Sequence, residues 1–168
     1  MKKLNLKGSA IILLIMLAAS CSEKSNDKAL LYIDRLADTF RYMLQSGQGE
    51  LTTLSEELRF TEAYLYLLTI RYENKLFCDI RIEDRYRDWK LPVLSLQPLI
   101  ENAVKHNSIS RTKPLRIAIR TDDGTLVVSN PLIPKIDETT GTGIGLKNLS
   151  SRYLLLTSQQ VRIIRTDD

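Results

Sequence analysis

The single histidine of the chain, His106, stands in "LIENAVKHN" (99–107), together with Glu101, Asn102 and Lys105. A carboxylate, a carboxamide, an ammonium and an imidazole at this spacing admit several chemistries. They suit a catalytic base, a phosphate acceptor, a metal ligand, or an ordinary polar helix face. On a helical wheel these four residues fill one arc, and Leu96, Leu99, Ile100, Ala103 and Val104 fill the opposite one. As a solvated face, Glu101 and Lys105 form an i,i+4 ion pair worth about 0.3–0.5 kcal/mol. That account leaves Asn102 unexplained, because asparagine is a poor helix former whose amide gains nothing mid-helix without a partner. An asparagine oxygen can complete the octahedral shell of Mg2+ when phosphate oxygens supply other ligands. Lys105 and His106 could then meet the phosphates, and Glu101 could orient or deprotonate an attacking group.

A second stretch carries chemistry of its own. In "GTGIGLKN", Gly141, Gly143 and Gly145 lead into a helix start, where free backbone N–H groups and the helix dipole attract an anion. Alone, the alternation suits a flexible loop equally well. With the Asn102 helix upstream and a hairpin between, the two stretches read as one nucleotide pocket.

The elements that must position these residues follow from periodicity. "KALLYIDRLADTFRYMLQ" places Leu30, Ile33, Leu36, Ala37, Phe40, Met43 and Leu44 at helical spacing, and "SGQG" ends it. "LTTLSEELRFTEAYLYLLTIRYENK" predicts a second helix with a capping box at Thr53 and Glu56. The two are expected to pack as a hairpin whose apolar faces could also serve a dimer. "LFCDIRIE" alternates as a strand, and "LPVLSLQPLIENAVKHN" predicts a helix opened by prolines. "PLRIAIRTD" and "TLVVSN", joined through Asp123-Gly124, form a β-hairpin. "IGLKNLSSRYLLLT" is a helix with Leu146, Leu149, Tyr153 and Leu156 on one face, and "VRIIRTDD" starts another strand. The expected architecture is a helical hairpin followed by an α/β sandwich.

Composition bounds the function classes. With 168 residues, 43% hydrophobic and 26% charged, the chain is globular rather than disordered and fits one moderate domain with extra length. The net charge is only +4, and no basic run reaches five residues, so nucleic acid is not an expected partner. At the N-terminus, basic "MKKLNLK" precedes the apolar run "GSAIILLIMLAAS", which is short for a membrane span. Small residues directly before Cys21 make residues 1–21 similar to a bacterial lipoprotein signal, with Cys21 as the lipidated residue; the alternative is a short uncleaved anchor. Either reading sends the rest of the chain out of the cytoplasm. Cys78 is then the remaining cysteine, without disulfide or metal-type spacing, and its place in an alternating strand suggests a buried, inert thiol.

Over residues 28 to 168 the chain resembles the C-terminal part of the LytS-type sensor histidine kinases. The matching text is "IDRLADTFRYML", "LSEELRFTEAYLYLLTIRYENK", "LPVLSLQPLIENAVKHN" and "GTGIGLKNLSSRYLLLT", in order. The resemblance implies the α/β two-layer sandwich shared by histidine kinases, gyrase and MutL. It puts Asn102 at the Mg2+-ligand position, Glu101 at the acidic, catalytic position beside it, and Lys105 and His106 on the phosphate side of bound ATP. Gly141, Gly143 and Gly145, with Leu146, fall on the glycine box of the ATP lid. The implied organisation is a signal segment at 1–21, a linker at 22–27, a partial dimerisation and phosphotransfer hairpin at 28–75, and an ATP-binding domain at 76–168.

The chain departs from the family pattern in three places. The family's phosphate-accepting histidine lies upstream, where this sequence has the signal-like segment, and His106 belongs to the nucleotide pocket instead. The aspartate expected to recognise the adenine amine is replaced by Ser129, followed by Asn130 and Pro131, and a neutral hydroxyl holds the amine more weakly than a carboxylate. The sequence ends at Asp168, where a further core strand is expected. What is implied is therefore the ATP- and Mg2+-binding part of a two-component kinase. It would act as a homodimer with a response regulator and phosphorylate a histidine other than its own. The alternative is a non-catalytic, membrane-anchored lipoprotein or kinase remnant with an idle pocket. The two halves of the sequence disagree on location: residues 1–21 imply export, the kinase resemblance implies the cytoplasmic face.

Overall fold

The computed structural model describes residues 26–45, 51–135 and 144–165. The signal-like segment with Cys21, most of the linker, Gly141 and Gly143 lie outside the described residues. Helix α1 (Asn26–Gln45) is followed by a short strand β1 (Leu51–Thr53), helix α2 (Leu54–Tyr72) and strand β2 (Leu76–Arg81). Strand β3 (Lys90–Pro92), helix α3 (Leu96–His106), the hairpin β4 (Leu115–Asp122) and β5 (Thr125–Ser129), and helix α4 (Ile144–Thr157) complete the order. This is an α/β arrangement of helices on a mixed sheet, preceded by a helix pair, as the sequence implies. No helix among the described residues is long and apolar enough to cross a membrane.

Strands β2 and β4 pair in parallel, and β4 and β5 pair antiparallel. The parallel register sets Leu76 opposite Leu115, Cys78 opposite Ile117 and Ile80 opposite Ile119. Inward residues therefore meet inward residues, because the side-chain period of two keeps them on one face. Phe77, Asp79 and Arg81 face outward, and the Arg116 guanidinium lies 4.8 Å from the Phe77 ring centroid. Cys78 is partly buried on the inner side, and burial pushes its thiol up to about 11, as an inert cysteine requires. The β4–β5 turn is made by Asp123 (φ 42°) and Gly124 (φ 72°), both in the left-handed region that a two-residue hairpin of this twist requires.

Helix α2 is the centre of the molecule. Leu54, Leu58, Phe60, Tyr64, Leu65, Leu67 and Leu68 are buried around most of its circumference, because it packs on α1, on β2 and on α3. One core runs from Tyr32 of α1 through Tyr64 and Ile100 to Ile119 of β4. The start of α2 is fully specified. Leu54 N–H donates to the Trp89 carbonyl (2.8 Å), Ser55 N–H to that of Arg87 (2.9 Å), and Glu56 N–H to the Thr53 hydroxyl (3.1 Å). The Glu56 carboxylate reaches back to Thr53 N–H, closing the expected capping box.

Two expectations are corrected. Residues 51–53 and 90–92 are not helical: they form a two-stranded antiparallel ribbon, Leu51 opposite Pro92, and α3 begins only at Leu96. Proline disfavours the helical conformation in the residue before it, and β1 supplies Leu91 and Pro92 with strand partners instead. Residues 161–165 are not a strand either. They pair with no strand among the described residues, and Ile163 and Ile164 are exposed.

Candidate functional site

Helix α3 carries the residues singled out by their chemistry, and its sequence explains how it is held. Leu96, Ile100 and Ala103 are buried against α2 and the sheet; Asn102, Lys105 and His106 lie on the less buried side, and Glu101 stands at its edge against Tyr64 of the core. Glu101 does not pair with Lys105. Its Oε1 accepts from Gln97 Nε2 at 2.8 Å and from the Tyr64 hydroxyl of α2 at 3.3 Å. Burial pushes the Glu101 carboxyl above the usual carboxylate range, against the lowering effect of these two donors. Burial and the neighbouring Glu101 charge raise the Tyr64 phenol well above its ordinary value, so it stays a neutral donor. A carboxylate held on two sides, with its pKa raised by burial, is a better proton acceptor than a fully exposed one.

Asn102 is partly buried, and its side chain has no hydrogen-bond partner among the described residues. Lys105 is exposed, with its backbone carbonyl accepting from the Lys135 ammonium, and His106 is partly buried as the last residue of the helix. The next residue, Asn107, is fully built into the fold. Its Nδ2 donates to the Ala103 carbonyl (2.7 Å) and its Oδ1 accepts from Ile133 N–H (2.6 Å), while Ser108 N–H donates to the Ile133 carbonyl (2.7 Å). This clamp returns the segment after β5 to the C-terminal end of α3, so that Ser129 and Asn130 lie only a few residues from it in the chain. Both side chains have local partners: the Ser129 hydroxyl accepts from Arg120 Nη1 (3.3 Å), and Asn130 Nδ2 donates to the Pro131 carbonyl (2.8 Å).

Of the glycine box, Gly145 and Leu146 are described, in the first turn of α4. A Cβ at Gly145 would meet nothing within 4 Å, so packing among the described residues does not demand glycine there. Helix α4 packs on α3 and on β3, with Leu149 buried.

Sequence reasoning missed the opposite end of α3. Glu57 of α2 is completely buried, yet its carboxylate accepts from Leu96 N–H (3.0 Å), Leu94 N–H (3.0 Å) and the Tyr42 hydroxyl of α1 (2.8 Å). It caps α3 from another helix. Leu94 takes a positive φ of 56°, unusual for leucine, and its carbonyl accepts from Arg152 Nη2 of α4 (3.1 Å). Burial raises the Glu57 carboxyl pKa; the Leu96, Tyr42 and Leu94 donors oppose it. A signal was present in the spacing: Leu54, Glu57, Leu58, Thr61, Leu65 and Leu68 form one stripe, with a charge on its inner face.

A partly buried carboxylate stands beside a carboxamide that has no partner among the described residues. Their helix packs against α4, whose first turn contains Gly145. The family model for histidine kinase matches residues 13–76, beginning inside the signal-like segment and covering α1 and α2. Proteins named sensor histidine kinase/phosphatase LytS from Staphylococcus aureus strains Mu50, N315 and MW2 are each 30% identical over 145 residues, covering 76% of this chain and 25% of the relative. The chain is thus similar to the LytS-type sensor histidine kinases and spans about a quarter of the length of these relatives.

Proposed function

We propose that this chain is the ATP-binding kinase portion of a two-component sensor histidine kinase, serving phosphoryl transfer from Mg-ATP to a histidine other than His106. The observation that carries the reading is the Glu101–Asn102 face: Glu101 oriented by Gln97 and Tyr64, Asn102 without a partner among the described residues. The donor set suits the phosphate end of the nucleotide. Asn102 would offer its oxygen to Mg2+, Lys105 and His106 would face phosphate, and Gly145 leaves space for a close approach at the α4 start. The adenine end fits less well, since the Ser129 hydroxyl and the Asn130 amide are engaged locally. Bound Mg-ATP would supply the phosphoryl group; the protein's share is positioning and charge neutralisation, with Glu101 receiving or steering a proton.

The partners follow from the same reading. On α1, Leu30 (60% exposed), Ile33 (58%), Ala37 and Leu44 (72%) recur at three-, four- and seven-residue spacing away from the core. That stripe suits a second copy of α1 in a homodimer, and a response regulator would take the phosphoryl group onward. The N-terminal segment would hold the protein at a membrane. The Cys21 signal also favours a second reading, a non-catalytic anchored lipoprotein whose pocket is idle.

One titration separates the two. The full chain is titrated with a fluorescent ATP analogue with and without Mg2+, beside Asn102→Ala. Saturable Mg2+-dependent binding, lost in the variant, is expected for the kinase portion. A folded protein that binds no nucleotide would leave the lipoprotein or remnant reading.

A further inference from the structure

The Glu57 junction lies at the opposite end of α3 from Lys105 and His106, and it joins α1, α2, the β3–α3 corner and α4 at one buried point. Its carboxylate meets the first turn of α3 on one side and the Tyr42 hydroxyl of α1 on the other. Tyr42 is held in place by its ring, which stacks on Phe60 at 4.6 Å, so its hydroxyl reports where α1 lies against α2. The corner itself is under tension: Leu94 is in the left-handed region, which is strained for a leucine. It is kept there by Glu57 at its N–H and by Arg152 at its carbonyl.

We propose that the Tyr42–Glu57 contact is a joint through which the position of α1 sets the seating of α3, making Glu57 a positioning residue for the Glu101–Asn102 face. When α1 lies as observed, the Tyr42 hydroxyl shares the Glu57 carboxylate with the α3 amides and holds it at the helix start. A shift of α1 that withdraws the hydroxyl leaves a buried carboxylate one donor short. Glu57 then moves toward another partner, the Leu94 corner relaxes, and the first turn of α3 loosens. Gln97, the residue that orients Glu101, lies in that turn. The assignment of the face to nucleotide rests on the function proposed above; the mechanical joint does not.

Tyr42→Phe tests the joint, because it removes only the hydroxyl and keeps the ring on Phe60. Amide hydrogen exchange is followed in the full chain, wild type and variant, without nucleotide. The expected result is exchange faster by about tenfold or more at Leu94–Ala103, the scale of a lost hydrogen bond to a charged group, with β4 (Leu115–Asp122) unchanged. Faster exchange confined to α1 would overturn the proposal. So would an equal acceleration in β4, which would mean general destabilisation. Glu57→Gln, in which one oxygen is lost from the same cap, should loosen Leu94–Ala103 to a similar degree. Added to Tyr42→Phe it should bring less than the sum of the two; full additivity would also overturn the joint. The same proteins are titrated with the ATP analogue. A wild type that binds no nucleotide but shows the α3 response would defeat the nucleotide reading while supporting the joint.

Discussion

The two ends of α3 are built on opposite terms. At its N-terminal end the polar groups around Glu57 are buried and mostly answered: Glu57 takes the amides of Leu94 and Leu96 and the Tyr42 hydroxyl, and Arg152 Nη2 takes the Leu94 carbonyl, with Arg152 Nε the one buried side-chain group there left over among the described residues. From Glu101 onward the exposed side of the helix carries groups with spare capacity, Asn102 above all. Full satisfaction in a low-dielectric site makes a group expensive to move and poor at binding anything new. Partial satisfaction at a wet surface makes it available. The helix is therefore anchored at one end so that it can present chemistry along the other.

The largest test of this contrast is Glu57→Ala. It leaves two backbone N–H groups and a phenol buried without their acceptor, and the expected loss is about 3–5 kcal/mol in urea unfolding. Glu101→Ala leaves the buried Tyr64 hydroxyl and Gln97 amide one acceptor short but strands no backbone amide, and should cost less. Equal losses would erase the distinction between anchor and face. The next effect in size contrasts two asparagines on the same helix end. Asn107→Ala removes the clamp on Ala103 and Ile133 and should cost about 2 kcal/mol. Asn102→Ala should stay within about 0.5 kcal/mol of wild type, as for a surface change away from structural features. A destabilising Asn102→Ala would make that residue part of the scaffold rather than of the site.

Much of the scaffold is legible in the sequence for local reasons. The capping box, the Asp123-Gly124 turn and the alternation of β2 and β4 are set by neighbours within a few residues, and each stands where the spacing places it. What is not legible depends on distant partners. The β1–β3 ribbon pairs segments of three residues each, too short to carry a pattern, across the whole of α2. "VRII" has strand-forming residues, but a strand also needs a neighbour to bond. The candidate site divides the same way. Glu101, Asn102, Lys105 and His106 are visible because polar groups on one helix arc need no third dimension. Glu57 is an ordinary glutamate until α3 starts against it, and the real partners of Glu101 are Gln97, one turn back, and Tyr64 on another helix.

The smallest effect is also the most specific. Burial raises the Glu101 carboxyl pKa in the folded chain, so between its unfolded value of about 4.3 and its folded value the native state binds more protons than the unfolded one. Stability contributed by this group is thus complete below the unfolded value and is lost as pH rises through the folded value. Glu57 shifts in the same direction, and Glu56, whose capping bonds lower its carboxyl, shifts in the opposite one. The wild-type curve sums all three, so only a difference isolates Glu101. Glu101→Gln keeps the shape and an acceptor for Tyr64 while removing the titration. Unfolding free energies of the two proteins, measured from pH 4 to 8, should show wild type losing ground to the variant as pH rises. A constant difference would mean that Glu101 titrates as an ordinary surface carboxylate, and the face would lose its candidate base while keeping its candidate metal ligand.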